Sequence, residues 1–567
     1  MEAPTRTQAP SGGVLPAGGR MIDLDHRSKM VILGAVMLGL FLATLDQTIV
    51  GTALPRITTD LGGSDQYTWV VTAYLLTSTI TVPVYGKLSD VYGRKPLLLI
   101  GISLFVVGSA LCGASQNIEQ LIAFRALQGL GAGSLFPISL AVIGDLFSPR
   151  ERGRYQGLFG AVFGVSFIIG PFIGGVLTDQ ASWRWVFYVN VPVALAALAV
   201  IATVLPNMRR LGTRARDLDY LGVAVFSAGM VPLLIGLNNK GTPQSNGGLP
   251  GWTDAGVGPL LALAVVLLGL FVLVEARARE PIVPLSLFRI RTYTVSVVAT
   301  LAMATALFAG IIYLPRFYQA VRGQGATESG YQTWPLILGL ILSSVVAGRL
   351  ISSTGKYKRM LMATVGLLLV GMLSMTRLTT DTSTATLWLS MAVIGVGVGP
   401  GMSAYTTVVQ SVAPRHLLGV ATSTLTFFRQ VGGSVGLAIA GTIFNQRFHD
   451  QLPAQLDAHG VPPEVRQHLG GQLTGVGQAG LAQSIPPAQQ HLVPNIIAAI
   501  HDSFSTAVGA VFWVGVVGAV VAVAAVFFLP ELPLRGSAEL SPDTTPQTEA
   551  DDVPVPAATP ARSGAPI

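Results

Sequence analysis

A chain of 567 residues in which 51% are hydrophobic and only 11% are charged is far more apolar than a soluble protein of this size. The single cysteine, Cys112, excludes an intrachain disulfide bond and a cluster of thiolate metal ligands. The formal net charge is +7, and its basic residues lie mainly between apolar runs, which argues for a topological role and against nucleic-acid binding. These properties predict an integral membrane protein.

The chain contains fourteen apolar runs of about 20 residues, the length of a helix that spans a bilayer. Transmembrane barrel strands would be about 10 residues long and would alternate in polarity, so the runs predict helices. The predicted fold class is an all-α membrane protein with 14 transmembrane helices. The predicted spans lie roughly at 31–53, 68–86, 97–115, 120–143, 156–178, 184–206, 218–238, 257–275, 293–315, 331–352, 360–377, 385–408, 420–444 and 506–529.

The distribution of basic residues predicts how the chain is oriented. With the first 30 residues in the cytoplasm, the segments beside the membrane hold about 23 Lys and Arg residues on the inner side and about 8 on the outer side. One missed span would scramble every later connection, so the imbalance supports the number of spans. The first 30 residues are polar and predict no cleavable signal, and both termini are expected to be cytoplasmic.

Two polar regions outside the spans are long. The segment from 531 to 567 is predicted to be a disordered cytoplasmic tail, since it is rich in Pro, Thr, Asp and Ala. The connection 445–505 is predicted to be an extracytoplasmic loop, either a variable surface excursion or a contact for a partner or a lipid. Its histidines have no tight ligand spacing, so no metal site is expected there.

Three ionisable side chains lie well inside the predicted spans. Asp46 interrupts the run FLATLDQTIV, while Arg125 and Arg429 lie in the fourth and thirteenth spans. An ionisable group at the bilayer centre costs at least about 2.5 kcal/mol, so such a residue is expected to face a cavity or a partner. The three are candidates for function, and the sequence leaves open which arginine Asp46 meets.

The connection between the second and third spans reads GKLSDVYGRKP and combines small turn residues with one carboxylate and two cations. It closely resembles the signature loop of the major facilitator superfamily, which implies a conformational-switch loop at Gly86, Asp90, Gly93, Arg94 and Lys95. A weaker copy, GRLISSTGKYKR, recurs between the tenth and eleventh spans with Ser at the position of Asp90. The resemblance implies two related halves, whereas positive-inside anchoring alone would not explain the two glycines.

Two further stretches resemble motifs of the same superfamily. RALQGLGAG begins at Arg125, and in the family this arginine is associated with proton coupling; the alternative is that Arg125 snorkels or pairs with a carbonyl. GAVFGVSFIIGPFIGG, in the fifth span, resembles the antiporter motif of the exporters, although its glycines could instead serve helix packing alone. The antiporter-motif residues are Gly164, Gly170, Pro171, Gly174 and Gly175.

The stretches LDQTIVGTALP and FFRQVGGSVG resemble first- and thirteenth-span signatures of the fourteen-helix drug:proton antiporter family, in its multidrug exporter branch. That family usually has Asn where Gly51 stands. The resemblance implies two six-helix halves with an inserted helix pair. The implied segments are an N-terminal tail at 1–29, a first half at 30–206, the inserted helices 7 and 8 with flanking segments at 207–291, and a second half at 292–530.

Asp46 is the predicted proton carrier. Its apolar neighbours disfavour the charged form of a carboxylate, and Arg125 or Arg429 nearby would favour it, so a movement that changes this distance would couple protonation to shape. An approach of Asp46 to Arg429 would join opposite halves in one conformation. Two alternatives are open: a permanently ionised structural partner of an arginine, and a direct ligand of a cationic substrate.

The predicted function is a proton-coupled antiporter that exports hydrophobic drugs or related lipophilic compounds by alternating access. With one deep carboxylate, neutral or monovalent substrates are favoured. No G-x-x-x-x-G-K-[ST] motif occurs, so ATP is not expected to drive the protein directly, and the proton gradient is the expected energy source. We also expect no enzymatic activity and no cofactor. The alternatives are an exporter of a lipid or cell-envelope component and a non-transporting receptor or scaffold.

Aromatic side chains are the candidates for the cavity wall, although aromatics also form interfacial belts and helix contacts. The candidates are Trp69, Tyr74, Phe308, Tyr313, Trp334 and Phe427. The expected partners are lipophilic small molecules, protons and membrane lipids, without nucleic acid, and the protein is expected to work as a monomer.

Overall fold

The computed structural model describes residues 24–61, 67–207, 219–241, 250–278, 281–324, 326–414, 417–462 and 487–531. Within these ranges the chain is helical and contains no β-strand. The α-helices are α1 (His26–Leu61), α2 (Tyr67–Tyr92), α3 (Arg94–Ala114), α4 (Ile118–Leu146), α5 (Pro149–Gln180), α6 (Trp185–Tyr188), α7 (Asn190–Val204), α8 (Tyr220–Gly241), α9 (Gly258–Glu275), α10 (Arg291–Ala320), α11 (Ala326–Gln332), α12 (Trp334–Thr354), α13 (Lys358–Met375), α14 (Thr384–Val412), α15 (Leu418–Ala458) and α16 (Val493–Phe527).

Fourteen stretches of these helices are long and apolar enough to cross a membrane, which confirms the predicted fold class for the described part of the chain. The sixth span, Trp185–Val204, is made of α6 and α7 together, and α11 is a short helix before α12. The protein is therefore a multi-pass membrane protein. Both predicted tails lie almost entirely outside the described residues.

The helices bury their apolar faces in separate cores. One group, α1 to α7, encloses side chains such as Leu40, Phe105 and Ile138, and we call it the N-terminal half. A second group, α10 to α16, encloses side chains such as Leu368 and Phe512, and we call it the C-terminal half. The remaining helices, α8 and α9, form an inserted pair.

Phe226 of the inserted pair contacts Phe271 within the pair, with ring centroids 5.2 Å apart. It also contacts Phe427 of α15, at 5.3 Å. These rings belong to one apolar cluster that joins the pair to the C-terminal half.

Each of the two signature-like connections contains a glycine with a positive φ, although the two backbone conformations differ. Gly93, between α2 and α3, has φ 100°, and Gly355, between α12 and α13, has φ 69°. Residues that carry a side chain rarely adopt a positive φ, so both turns favour glycine. We call the end of the bundle that carries these two connections the basic end.

The helices beside the predicted 445–505 loop are longer than predicted, since α15 runs to Ala458 and α16 begins at Val493. The cause is an apolar stripe at every fourth position, because Phe444, Phe448, Leu452 and Leu456 are all buried. Phe444 also packs edge-on against Phe504 of α16, at 4.9 Å. The central part of the predicted loop, 463–486, lies outside the described residues.

Candidate functional site

Asp46 lies on α1 with its side chain fully buried. Its Oδ2 atom is 2.6 Å from Nη1 of Arg125 on α4, and this guanidinium is also buried. Its Oδ1 atom accepts hydrogen bonds from the side-chain amides of Gln128, at 2.8 Å, and Asn190, at 3.1 Å. We call these four residues the carboxylate cluster. A buried carboxylate is tolerated only when paired and hydrogen-bonded, and the cluster meets both conditions.

Arg125 connects its own helix α4 with α1, through Asp46, and with α2, through the backbone of Val70. Its Nε donates to the carbonyl oxygen of Val70 at 3.3 Å, and its Nη1 donates to the side chain of Gln128 at 2.8 Å. Its guanidinium also lies 4.2 Å from the ring centroid of Tyr74, close enough for a cation–π contact. Arg125 is therefore an interior residue, and the alternative that it snorkels to the membrane surface is wrong in this structure.

The structure thus pairs Asp46 with Arg125, one of the two arginines that the sequence singled out. Gln128 belongs to the quoted Arg125 motif, but Asn190 was not predicted. The sequence feature that could have indicated Asn190 is its position as a lone amide in the apolar stretch WRWVFYVNVP. Nothing in that stretch shows that its side chain reaches a carboxylate 144 positions away in the chain.

A large cavity lies between the two halves. Its empty space amounts to about 1480 Å³, including its opening to solvent, and most of its wall is apolar. Phe136 and Phe163 line it from the N-terminal half, and Leu307 and Leu340 line it from the C-terminal half. A concave, mostly apolar site with a few polar groups is typical of a small-molecule site.

One residue belongs to both the cavity wall and the surroundings of the buried ion pair. Tyr74 lines the cavity while its ring covers the guanidinium of Arg125. Its hydroxyl donates to the carbonyl oxygen of Ala43 at 3.3 Å, which fixes the ring against α1. Gln47, the residue next to Asp46, also lines the cavity. The carboxylate cluster is therefore separated from the cavity by single side chains.

Of the predicted wall residues, Tyr74 and Phe308 line this cavity and the other four do not. Trp69 precedes Tyr74 by five positions, which rotates it by about 140° around α2. Trp334 is 39% exposed and packs against Tyr331, with centroids 5.1 Å apart.

The other two errors have the same origin, because aromatic content does not show which way a helix faces. Tyr313 packs against Phe444 in the C-terminal core, with centroids 5.2 Å apart. Phe427 packs against Phe226 of the inserted pair and against its neighbour Phe428, both at 5.3 Å.

Arg429 lines the cavity from α15 and is not part of the carboxylate cluster. Its guanidinium lies 5.5 Å from the ring centroid of Phe136, across the interface between the halves. Its Nη2 atom is buried and has no hydrogen-bond partner among the described residues. A meeting of Arg429 with Asp46 in another conformation stays a prediction.

The signature loop closes the basic end of the bundle. The Oδ1 atom of Asp90 lies 2.5 Å from Nη2 of Arg94. Its Oδ2 atom accepts a hydrogen bond at 3.2 Å from the backbone N–H of Val420, in the first turn of α15. A carboxylate is stabilised at a helix N-terminus, where N–H groups lack helical partners. Arg94 also bonds Asp145 of α4 at 3.0 Å. The loop thus ties three helices of one half to the beginning of a helix in the other.

The neighbouring loop positions differ in their contacts. A Cβ atom on Gly86 would lie 2.0 Å from Oγ of Ser423, so glycine is needed for the close approach of α2 to α15. Lys95 is partly exposed. Gln410 of α14 adds a further hydrogen bond between the halves, to the carbonyl oxygen of Leu140 at 3.1 Å.

Asp90→Asn is expected to weaken closure of the basic end about tenfold or more, because a hydrogen bond to a charged group contributes about 1.5–3 kcal/mol. Spin labels on the cysteines of Tyr92→Cys and Arg349→Cys, introduced together with Cys112→Ser, would report the distance between the halves. The fraction at long distance should rise in Asp90→Asn and stay unchanged in Asp381→Asn, an exposed control. Equal distance distributions in both variants would contradict this role of Asp90.

Glycines of the predicted antiporter motif lie at close contacts between helices. A Cβ atom on Gly164 would lie 2.2 Å from Cγ1 of Ile341 on α12. Gly170 instead faces Thr48 of α1, where a Cβ atom would lie 2.0 Å from its hydroxyl oxygen. Gly174 is buried and Gly175 partly exposed. The side chain of Pro171 lies outside the described residues.

Gly160→Val is expected to destabilise the protein by about 1–3 kcal/mol through overpacking. A Cβ atom there would lie 2.5 Å from Cβ of Ser344, an atom that cannot move without its backbone. Thermal unfolding in detergent measures the effect. Gly366→Val is the control, since a Cβ atom on Gly366 meets nothing within 4 Å. A loss of stability as large in the control as in Gly160→Val would refute the packing explanation.

Comparison with known proteins identifies the family. A family model described as Major Facilitator Superfamily matches residues 36–437. The chain belongs to the major facilitator superfamily. Multidrug transporter protein MdtP of Bacillus subtilis (strain 168) is 35% identical over 538 residues, which cover 92% of this chain and 96% of that protein. Multidrug resistance protein 3 of the same organism is 32% identical, covering 91% of this chain and 97% of that protein.

A solved structure agrees at the level of fold. The crystal structure of the human organic anion transporter MFSD10 superposes with a TM-score of 0.57 over 88% of this chain and 99% of that one, at 16% identity. This similarity concerns the arrangement of helices alone. The predicted membership in the superfamily, in the branch of the multidrug exporters, is confirmed by the family match and by the sequence relatives.

Proposed function

We propose that this transporter exports lipophilic small molecules in exchange for protons. The observation that carries the proposal is the fully buried Asp46–Arg125 pair, which a single side chain, Tyr74, separates from a large apolar cavity. Ionisable groups inside membrane helices are costly and mark proton or substrate pathways. The names of the relatives MdtP and Multidrug resistance protein 3 support export of drugs.

Proton exchange would act through the charge of Asp46. When the carboxylate takes a proton, its attraction to Arg125 falls, and the hydrogen bonds from Gln128 and Asn190 weaken because their acceptor is no longer charged. Helix α1 is then less firmly held to α4. Tyr74 bonds the backbone of α1 and covers Arg125, so a shift of α1 changes the cavity wall.

Alternating access requires that contacts at the basic end break and re-form. In the structure Asp90 and Gln410 join the halves at this end, so the state described here is closed there. We propose that the basic end faces the cytoplasm of a bacterial cell, with both termini on that side, as the positive-inside rule predicts. The protein would act as a monomer, since the cavity is formed by the two halves of one chain.

Transport in liposomes tests this function. Purified protein is reconstituted, a pH gradient is imposed, and the movement of lipophilic dyes and drugs is followed by fluorescence. We expect the compound to enter the liposomes in exchange for protons that leave them. This uptake should stop when nigericin collapses the pH gradient. Equal uptake with and without the gradient would contradict proton coupling, and no uptake of any compound by well-folded protein would contradict export of lipophilic molecules.

A further inference from the structure

The charge of the cavity wall is unbalanced. Among the described residues that line the cavity, Arg429 is the one Lys, Arg, Asp or Glu side chain. Asp46 does not line the cavity, and its charge is already matched by Arg125 at 2.6 Å. The cavity therefore presents a positive charge with no carboxylate in its own wall. A cationic substrate would be repelled in such a site, because Coulomb interactions are strong where water is scarce.

Four buried polar atoms of the C-terminal wall are unsatisfied among the described residues. Besides Nη2 of Arg429, the hydroxyl oxygens of Thr300 and Tyr405 and the side-chain oxygen of Gln430 are buried without a hydrogen-bond partner among the described residues. All four side chains line the same cavity. Native proteins satisfy nearly all buried polar groups, so four unpaired groups in one wall indicate a site for a polar ligand group.

The donors in this wall define the chemistry of that ligand group. A guanidinium donates only, and a Tyr or Thr hydroxyl can donate as well. Three of the four groups can thus donate to an acceptor-rich, negatively charged headgroup, for which arginine is the preferred partner. The opposite wall carries no Lys, Arg, Asp or Glu side chain among the described residues. Phe136, Phe163 and Phe167 give it an aromatic surface beside uncharged polar side chains such as Thr44 and Gln47. The site therefore combines a positive charge and hydroxyl donors on one side with an aromatic surface on the other.

We propose that the cavity selects amphiphilic monoanions, such as an apolar ring system that carries one carboxylate, and that Arg429 binds the negative group. Thr300 and Tyr405 add hydroxyl donors to the same group, and the phenylalanines contact the apolar body. This inference rests on the proposed export function and specifies its substrate class. It assigns Arg429 a substrate-binding role in place of the predicted role in proton coupling.

The test uses three probes with one apolar body and different charge: 1-pyrenebutyrate, its methyl ester and a pyrenebutyl-trimethylammonium salt. Binding to the full-length protein in nanodiscs is measured by energy transfer from tryptophan to pyrene, with empty nanodiscs as background. Wild type is expected to bind the carboxylate at least about tenfold more tightly than the ester, the difference expected for one charge-assisted hydrogen bond. The cation should bind more weakly than the ester.

Variants identify the residue that is responsible. Arg429→Gln should lose the preference for the carboxylate while it binds the ester as wild type does, which also shows that the variant is folded. Arg429→Lys should retain most of the preference. Arg349→Gln removes an equal charge from an exposed position on α12 and should behave as wild type.

Two results would overturn the proposal: equal or tighter binding of the cation by wild type, or an unchanged carboxylate preference in Arg429→Gln. If Arg429→Gln fails to fold, the three-probe comparison on wild type decides alone. Binding is measured without a pH gradient, so its outcome is independent of proton coupling. A failure of the proposed function would appear in the liposome assay and leave the charge preference intact.

Discussion

Asp46→Asn is expected to reduce export driven by a pH gradient to the level of liposomes without protein. Asparagine has the size of aspartate and keeps one acceptor oxygen for the donors of the carboxylate cluster, but it cannot release a proton. The variant should therefore insert and fold, bind substrate, and fail to use the gradient. Uptake in reconstituted liposomes, with an imposed gradient and a known amount of folded protein, measures the effect.

The control for this variant lies on the same helix. Asp60 pairs with Arg56 at 3.2 Å, but both side chains are substantially exposed. Asp60→Asn removes the same charge without touching the carboxylate cluster and should leave transport near wild type. Gradient-driven uptake by Asp46→Asn at the rate of Asp60→Asn would refute the assignment of Asp46 as proton carrier.

Arg125→Met is expected to lower the free energy of unfolding by about 3–5 kcal/mol, because it leaves Asp46 as an uncompensated buried charge. The amides of Gln128 and Asn190 still donate to the carboxylate, but they carry no positive charge. Adding Asp46→Asn to this variant should recover part of the loss. Thermal unfolding in detergent of the single and double variants gives the coupling energy between the two positions.

The exposed pair again provides the comparison. Arg56→Met breaks an ion pair of the same type at the surface, where such pairs contribute about 0–1 kcal/mol. A small effect there and a large one at Arg125 would show that burial determines the cost. Additive effects of Arg125→Met and Asp46→Asn would contradict the ion pair in the folded protein.

The sequence predicted the helices and the short set of charged residues better than it predicted their partners. Hydrophobic length places all fourteen spans, because the bilayer sets a minimum run that few other structures need. The cost of a buried charge singled out Asp46, Arg125 and Arg429. It could not show that Arg125 meets the carboxylate and Arg429 the cavity, since that depends on how α4 and α15 are rotated.

The residues that sequence analysis missed or misplaced are uncharged or aromatic. Asn190 completes the carboxylate cluster, but an amide in an apolar helix carries too little energetic cost to stand out. Trp334 and Phe427 were expected in the cavity and instead pack at a surface and against the inserted pair. For such side chains the direction they face on the helix decides the role, and direction comes from tertiary packing.

Substrate-driven proton release tests the central claim most directly. Purified protein is placed in weakly buffered detergent solution with a pH-sensitive dye, and a transported compound is added. The account predicts that wild type releases protons when the compound binds and that Asp46→Asn binds it without releasing any. Proton release by Asp46→Asn in the same amount as by wild type would contradict the claim that Asp46 carries the exchanged proton.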